Sequence, residues 1–185
     1  MDYIKEAVKT ESIDFNSIRE RFNAENQELL KTMVNSLIYQ VEELDKMKKH
    51  LFYGKKVELP VLTNTDGNEE CYTVPNDSLI RIMHGIIGVM TESGEMLEIL
   101  RDALFESKEL DIVNLQEENG DCMWYQALMH DVMGKTFEQT QKQNIDKLQK
   151  KKNARYKGGK FSENEAINRN VSEERKILEQ TFKEE

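Results

Sequence analysis

Apolar side chains recur on a three- and four-residue grid through Ile18, Phe22, Leu29, Met33, Leu37, Val41, Leu44, Lys48 and Leu51, and only Lys48 breaks the apolar character. That period predicts one amphipathic helix. Ser17, with Glu20 three residues on, supplies a capping box at its start, and Gly54 is a natural stop just after Tyr53. A stripe this long needs a second helix to cover it. The next segment changes period. Val57, Leu59 and Val61 alternate with Glu58, Pro60 and Leu62, Asp66-Gly67 is a turn signal, and Tyr72 and Val74 alternate on the return. A small β-hairpin is predicted there, with Pro60 confining its first strand to an edge or a break; an extended loop is the alternative.

Helical patterning then resumes. Asp77 is placed to cap a helix from Ser78 to about Phe105. Asn114, with Glu117, caps another that ends at Met133 before Gly134. Thr136 and Gln139 open a further helix to about Arg155, and Gly158-Gly159 closes that region. Ser162 with Glu165, and Ser172, suggest short terminal helices. The expected fold is an all-α helical bundle: residues 1–76 give the long helix and the hairpin insertion, residues 77–185 the helical core, and together they form one compact domain.

Composition narrows the function classes. The 185 residues contain only two prolines and nine glycines, which favours long helices over a many-turned β fold. A net charge of -9 argues against a general nucleic-acid-binding surface. Cys71 and Cys122 form no CxxC pair, so no zinc knuckle is expected. The acidic N-terminus lacks the apolar core of a signal peptide, and no apolar run approaches membrane-spanning length. No membrane partner and a cytoplasmic location are expected.

The candidate chemistry lies in two helices. Glu92 and Glu95 are three residues apart, as are Glu118 and Asp121, so each pair shares a helical face. Two such pairs on neighbouring antiparallel helices converge on one point. Carboxylates gathered there repel one another unless cations neutralise them, and hard oxygen donors suit Mg²⁺, with Mn²⁺ as a substitute. Either pair alone reads better as a solvated acidic face. The apolar flanks (Ile86, Val89, Met90 and Leu97 before and after the first pair, Leu115, Met123 and Trp124 around the second) point to buried helices instead. Gly85, Gly88 and Gly94, each costing about 1 kcal/mol relative to Ala in a helix, suit a place where helices approach closely or a ligand needs room.

These residues also resemble a known family. TESGEMLE is similar to the T-E-x-G-E stretch of the MazG-like, all-α nucleoside triphosphate pyrophosphohydrolases, whose relatives include dimeric dUTPases and phosphoribosyl-ATP pyrophosphohydrolases. NLQEENGDCMWY resembles the family's N-L-x-E-E-x-G-D-x-x-W-Y stretch, and NIDKLQKKKNARYKGGKF its N-x-x-K-L…R-Y…F closing motif. The likeness runs from about Leu79 to Glu174. Asn119 stands where the family usually has an apolar residue.

The resemblance implies a Mg²⁺-dependent enzyme that cleaves an NTP or dNTP between the α and β phosphates, giving a monophosphate and pyrophosphate. It implies Glu92, Glu95, Glu118 and Asp121 as metal ligands, Glu95 as the residue that orients or deprotonates the water, and Glu98 as a ligand or supporting acid. Lys147 is expected on phosphate and in the catalytic set, with Arg155 beside it in the same motif, and Asn144 and Tyr156 position substrate. His84 and Trp124 are candidates to meet the base, though both residue types also serve as core packing. Family relatives are dimers or tetramers, so a homo-oligomer is expected. Alternatives that keep the site are a dUTP, damaged-nucleotide or alarmone (ppGpp) hydrolase; a non-catalytic helical sensor or interaction protein keeps only the scaffold.

Overall fold

The computed structural model describes residues 3–8, 14–58, 76–149, 156–157, 160–162, 164, 167–168 and 170–183. Helices dominate them: α1 (Tyr3–Val8), α2 (Phe15–Arg21), α3 (Ala24–Tyr53), α4 (Asp77–Phe105), α5 (Ile112–Met133), α6 (Phe137–Gln149) and α7 (Val171–Lys183). A two-residue antiparallel ladder, β1 (Tyr156–Lys157) with β2 (Lys160–Phe161), pairs Tyr156 with Phe161 and Lys157 with Lys160. The all-α expectation holds. No membrane-crossing helix is present among the described residues, none being long and apolar enough.

The chain forms two compact units. One is residues 23–134; the other joins residues 1–22 to residues 135–185. In the first, α4 is the central helix and packs against both α3 and α5. The order of contacts makes each pairing antiparallel: Phe52 meets His84 while Val41 approaches Gly94, and Met129 lies by Gly85 while Cys122 lies by Ser93. Val34, Ile38 and Val41 from α3, Ile99 from α4, and Cys122 and Tyr125 from α5 form the buried apolar core. Cys122 is a free, buried thiol; Cys71 lies outside the described residues.

Three glycines let the helices come this close. A Cβ built on Gly85 would stand 2.5 Å from Met129 Cγ, one on Gly88 2.1 Å from Tyr125 Cδ1, and one on Gly94 2.3 Å from Val41 Cγ1. Gly85 and Gly88 thus seat α5, and Gly94 seats α3. The propensity penalty of these residues is the condition for close packing on both sides of α4.

In the second unit, α6 packs on α1 and α7. Asn144 Nδ2 donates to the Tyr3 hydroxyl at 3.0 Å, and Gln149 Nε2 donates to Glu6 Oε2 at 3.1 Å. Ile145 and Gln143 are its buried residues on α6.

Element boundaries differ from the sequence reading in instructive ways. The predicted helix over 17–53 is two helices, broken at Phe22 and Asn23. Asn23 caps α3 by accepting from Asn26 N at 3.0 Å. Ser17 lies inside α2, and Asp14 is the cap, accepting from both Ser17 N and Ser17 Oγ. Asn76 rather than Asp77 caps α4, and Asp111 rather than Asn114 caps α5. Each true cap is an Asp or Asn three residues before the amide it serves, and a second capping-type residue close behind masks it. The stops at Gly54 and Gly134 are as predicted, both left-handed with φ of 66° and 63°. The Thr136–Gln139 capping box also forms: Thr136 N donates to Gln139 Oε1 and Gln139 N to Thr136 Oγ1. The predicted hairpin falls on residues 59–75, outside the described residues; Val57 and Glu58, which are described, carry no strand.

Candidate metal centre

Glu92 and Glu95 project from the middle of α4, and Glu118 from the first half of α5. Each offers a carboxylate oxygen, and the three oxygens lie within 4.8 Å of one another. Glu92 and Glu118 are buried, while Glu95 reaches the surface. Antiparallel packing of α4 on α5 through Gly85 and Gly88 sets this register. The structure therefore brings together three of the four predicted ligands. Asp121, one turn beyond Glu118, is exposed and outside that close group.

Crowding shows in the proton affinities. Burial pushes the Glu118 carboxyl up to about 7, helped by the charges of Glu95 and Glu92 and by a hydrogen bond with Glu95. Burial and the charge of Glu92 also raise Glu95, against the hydrogen bond to Glu118 that lowers it. A divalent cation bound by these oxygens relieves both causes, because it replaces lost solvation and cancels the mutual repulsion. The donors are all carboxylate oxygens, which suit a hard divalent cation.

A pH dependence follows. Glu118 binds its proton more tightly in the folded chain than at its ordinary value of 4.5. Without a divalent cation, the stabilisation is present at low pH and is lost as pH rises from 4.5 through about 7. Thermal melts in chelator between about pH 5 and about pH 8 should show a falling Tm, and Glu118→Gln should flatten the slope. Divalent-cation affinity should rise across the same window, since metal and proton compete. A Tm that climbs through that range in chelator would contradict this electrostatic account.

A residue outside the predicted set closes the site on its α3 side. Lys48 is only 3% exposed. Its Nζ donates to Thr91 Oγ1 at 2.7 Å and to Glu92 Oε1 at 3.0 Å, and it pairs with Asp45 Oδ1 at 3.1 Å. It also stands 5.1 Å from the centroid of the Tyr125 ring. Burial disfavours its charge, but hydrogen bonds to Glu92, Tyr125 and Asp45 outweigh this and keep it firmly protonated. The Thr91 hydroxyl, completely enclosed, also contacts Gly88 O at 2.8 Å and Glu92 Oε1 at 3.1 Å. The sequence held a signal for Lys48: it is the lone charge on the apolar stripe of α3. Thr91 opens the TESGEMLE stretch, which drew attention only to its acids, and Asp45 gave no signal.

A cleft of about 700 Å³ opens along α3 and α4 to the connection before α5. Glu95 and Glu98 line it beside Thr91, with Asp45 and Lys49 opposite and Lys108 at the end. Glu95 thus belongs both to the carboxylate group and to the cleft wall, and Glu98 lies one turn further along that wall.

His84 sits at the opposite end of α4 in a group of rings. Phe52 stacks on it with centroids 4.0 Å apart, the Tyr53 hydroxyl lies 3.1 Å from His84 Nε2, and Trp124 and Tyr125 meet it edge-on. Burial, and then the charge of Lys48, lower the His84 pKa, so the ring favours its neutral form. His84 and Trp124 are therefore neighbours, and Trp124 remains 54% exposed. Neither lines the cleft. The closing-motif residues belong to the other unit: Asn144 and Lys147 are half-buried on α6, Tyr156 is in β1, and Arg155 lies outside the described residues.

No protein-family model matches the chain, and no curated protein or solved structure does either.

Proposed function

We propose that the chain is a Mg²⁺-dependent nucleotide pyrophosphohydrolase of the MazG-like kind, cleaving an NTP or dNTP between the α and β phosphates. The observation that carries the reading is the convergence of the Glu92, Glu95 and Glu118 oxygens within 4.8 Å on two glycine-seated helices. The TESGE, EENGD and N-x-x-K-L motifs support it, because the first two contain these acids.

Glu92, Glu95 and Glu118 would hold a divalent cation, which would neutralise phosphate charge and make a water more acidic. Glu95, on the cleft wall with a raised pKa, orients the attacking water and takes its proton. Glu98, one turn away, is the supporting acid. Water attacks phosphorus, the bridging P–O bond breaks, and pyrophosphate leaves. Glu118 and Glu92 hold the charge balance behind Glu95, and Asp121 extends the α5 pair. The closing-motif resemblance is what assigns Asn144, Lys147, Arg155 and Tyr156 to the nucleotide, with Lys147 for its phosphates. His84 and Trp124 are assigned to the base.

The test is a panel of NTPs, dNTPs, dUTP, oxidised nucleotides and ppGpp with Mg²⁺, resolving monophosphate and pyrophosphate from diphosphate and phosphate. Monophosphate and pyrophosphate from at least one triphosphate, lost in Glu95→Gln, is the expected result. Turnover of dUTP alone would narrow the substrate, and turnover of ppGpp alone would move it, in both cases keeping the site. Absence of turnover across the panel, or full activity in Glu95→Gln, would overturn the enzyme reading.

A further inference from the structure

Lys48 stands out as the only charged residue of α3 that is fully buried. A lysine is almost never enclosed to this degree without a specific partner. Here the partners are Glu92 Oε1 and Thr91 Oγ1 of α4, with Asp45 Oδ1 of α3. We propose that Lys48 is the resident cation of the carboxylate site: it takes up the charge of Glu92 and limits the substrate-free site to one divalent cation, held chiefly by Glu95 and Glu118. This rests on the metal-centre reading above and specifies its stoichiometry.

Charge and geometry carry the inference together. Glu92, Glu95, Glu118 and Asp45 bring four negative charges, and Lys48 and Lys49, both paired with Asp45, bring two positive ones. Within the close group itself, three carboxylates meet one ammonium, and the two charges left on Glu95 and Glu118 match one divalent ion. A second such ion would find no unneutralised carboxylate in the close group and would meet the Lys48 ammonium at Glu92. Lys48 is held by α3 on one side and by Thr91, Glu92 and Tyr125 on the others. Thr91, itself enclosed and anchored to Gly88 O, fixes the ammonium so that it meets Oε1 of Glu92. Lys48 is therefore a positioning residue, acting through Glu92 without needing to touch substrate.

The experiment is Mn²⁺ binding to the full chain without nucleotide, with bound and free Mn²⁺ counted by electron paramagnetic resonance. One Mn²⁺ per wild-type chain is expected. Glu92→Gln should weaken binding by less than about tenfold, because its charge is already taken, whereas Glu118→Gln should weaken it by more than about 100-fold, beyond what loss of an outer-sphere partner does. In Lys48→Met, Glu92 loses its counter-charge; Mn²⁺ should then raise Tm by more than it does in wild type, or a second Mn²⁺ should bind. Lys48→Arg, which keeps the charge, should retain one Mn²⁺.

Two Mn²⁺ per wild-type chain would overturn the role of Lys48 and leave the metal centre standing; no Mn²⁺ would overturn the metal centre itself. A Lys48→Met protein that binds one Mn²⁺ with the wild-type Tm increment would reduce Lys48 to packing. If Lys48→Met does not fold, Glu92→Gln decides: a loss above about 100-fold makes Glu92 a full ligand and ends the proposal.

Discussion

Glu118→Gln and Glu95→Gln are each expected to weaken Mg²⁺ or Mn²⁺ binding by on the order of 100-fold or more, and to remove hydrolysis with it. Loss of an outer-sphere partner of a metal ligand already costs 10- to 100-fold in affinity in other proteins; a directly bonding anionic oxygen should exceed that. The neutral amide keeps the shape of the side chain but not its charge. It also removes a charge from a place where burial, and then mutual repulsion, raise the Glu118 pKa. Each variant should therefore be at least as stable as wild type in chelator at neutral pH while failing to gain stability from added metal. Calorimetric titration alongside melts with and without Mn²⁺ separates the two effects. A variant that loses both fold and metal would show these acids to be structural.

Gly88→Ala is expected to destabilise the protein although alanine is the better helix former. Its Cβ would stand 2.1 Å from Tyr125 Cδ1, 2.3 Å from Cε1 and 2.3 Å from Cγ, a clash with the body of a buried ring. The ring cannot swing away freely, because Lys48 lies over one side and His84 and Trp124 meet its edges. Overpacking of this kind costs about 1–3 kcal/mol, against a propensity gain of about 1 kcal/mol. Tm should fall by several degrees, at about 2–4 °C per kcal/mol for a chain of this size. Gly120→Ala is the matched control: nothing lies within 4 Å of its added Cβ, so the same propensity gain should appear as a higher Tm. Equal melting temperatures for the two variants would show that α4 and α5 do not pack through Gly88.

Much of this was legible in the sequence because the signals were periodic or conformational. Glycine stops at Gly54 and Gly134 mark left-handed backbone that other residues adopt poorly, and the structure has them there. The i,i+3 spacing of Glu92 with Glu95 fixed a shared face, and the three α4 glycines announced close packing. What escaped the reading depends on tertiary register. Spacing within α5 puts Asp121 near Glu118, but only the rotation of α5 against α4 decides which carboxylate turns inward, and it favours Glu118. Lys48 looked like a polar interruption because a periodic pattern cannot say that Thr91 and Glu92 of another helix face it. The break at Phe22 and Asn23 was hidden by an apolar grid that continues through it, since hydrophobic period does not register a cap. The ladder of β1 and β2 is two residues long, too short to carry a strand pattern.

The central claim is that Glu92, Glu95 and Glu118 form a divalent-cation centre. Anomalous diffraction from crystals of the wild-type protein grown with Mn²⁺ tests it most directly. The prediction is a single strong peak between α4 and α5, about 2.0–2.3 Å from oxygens of Glu95 and Glu118. A map with no peak at those carboxylates, from protein that still hydrolyses a nucleotide in the same Mn²⁺ buffer, would contradict it.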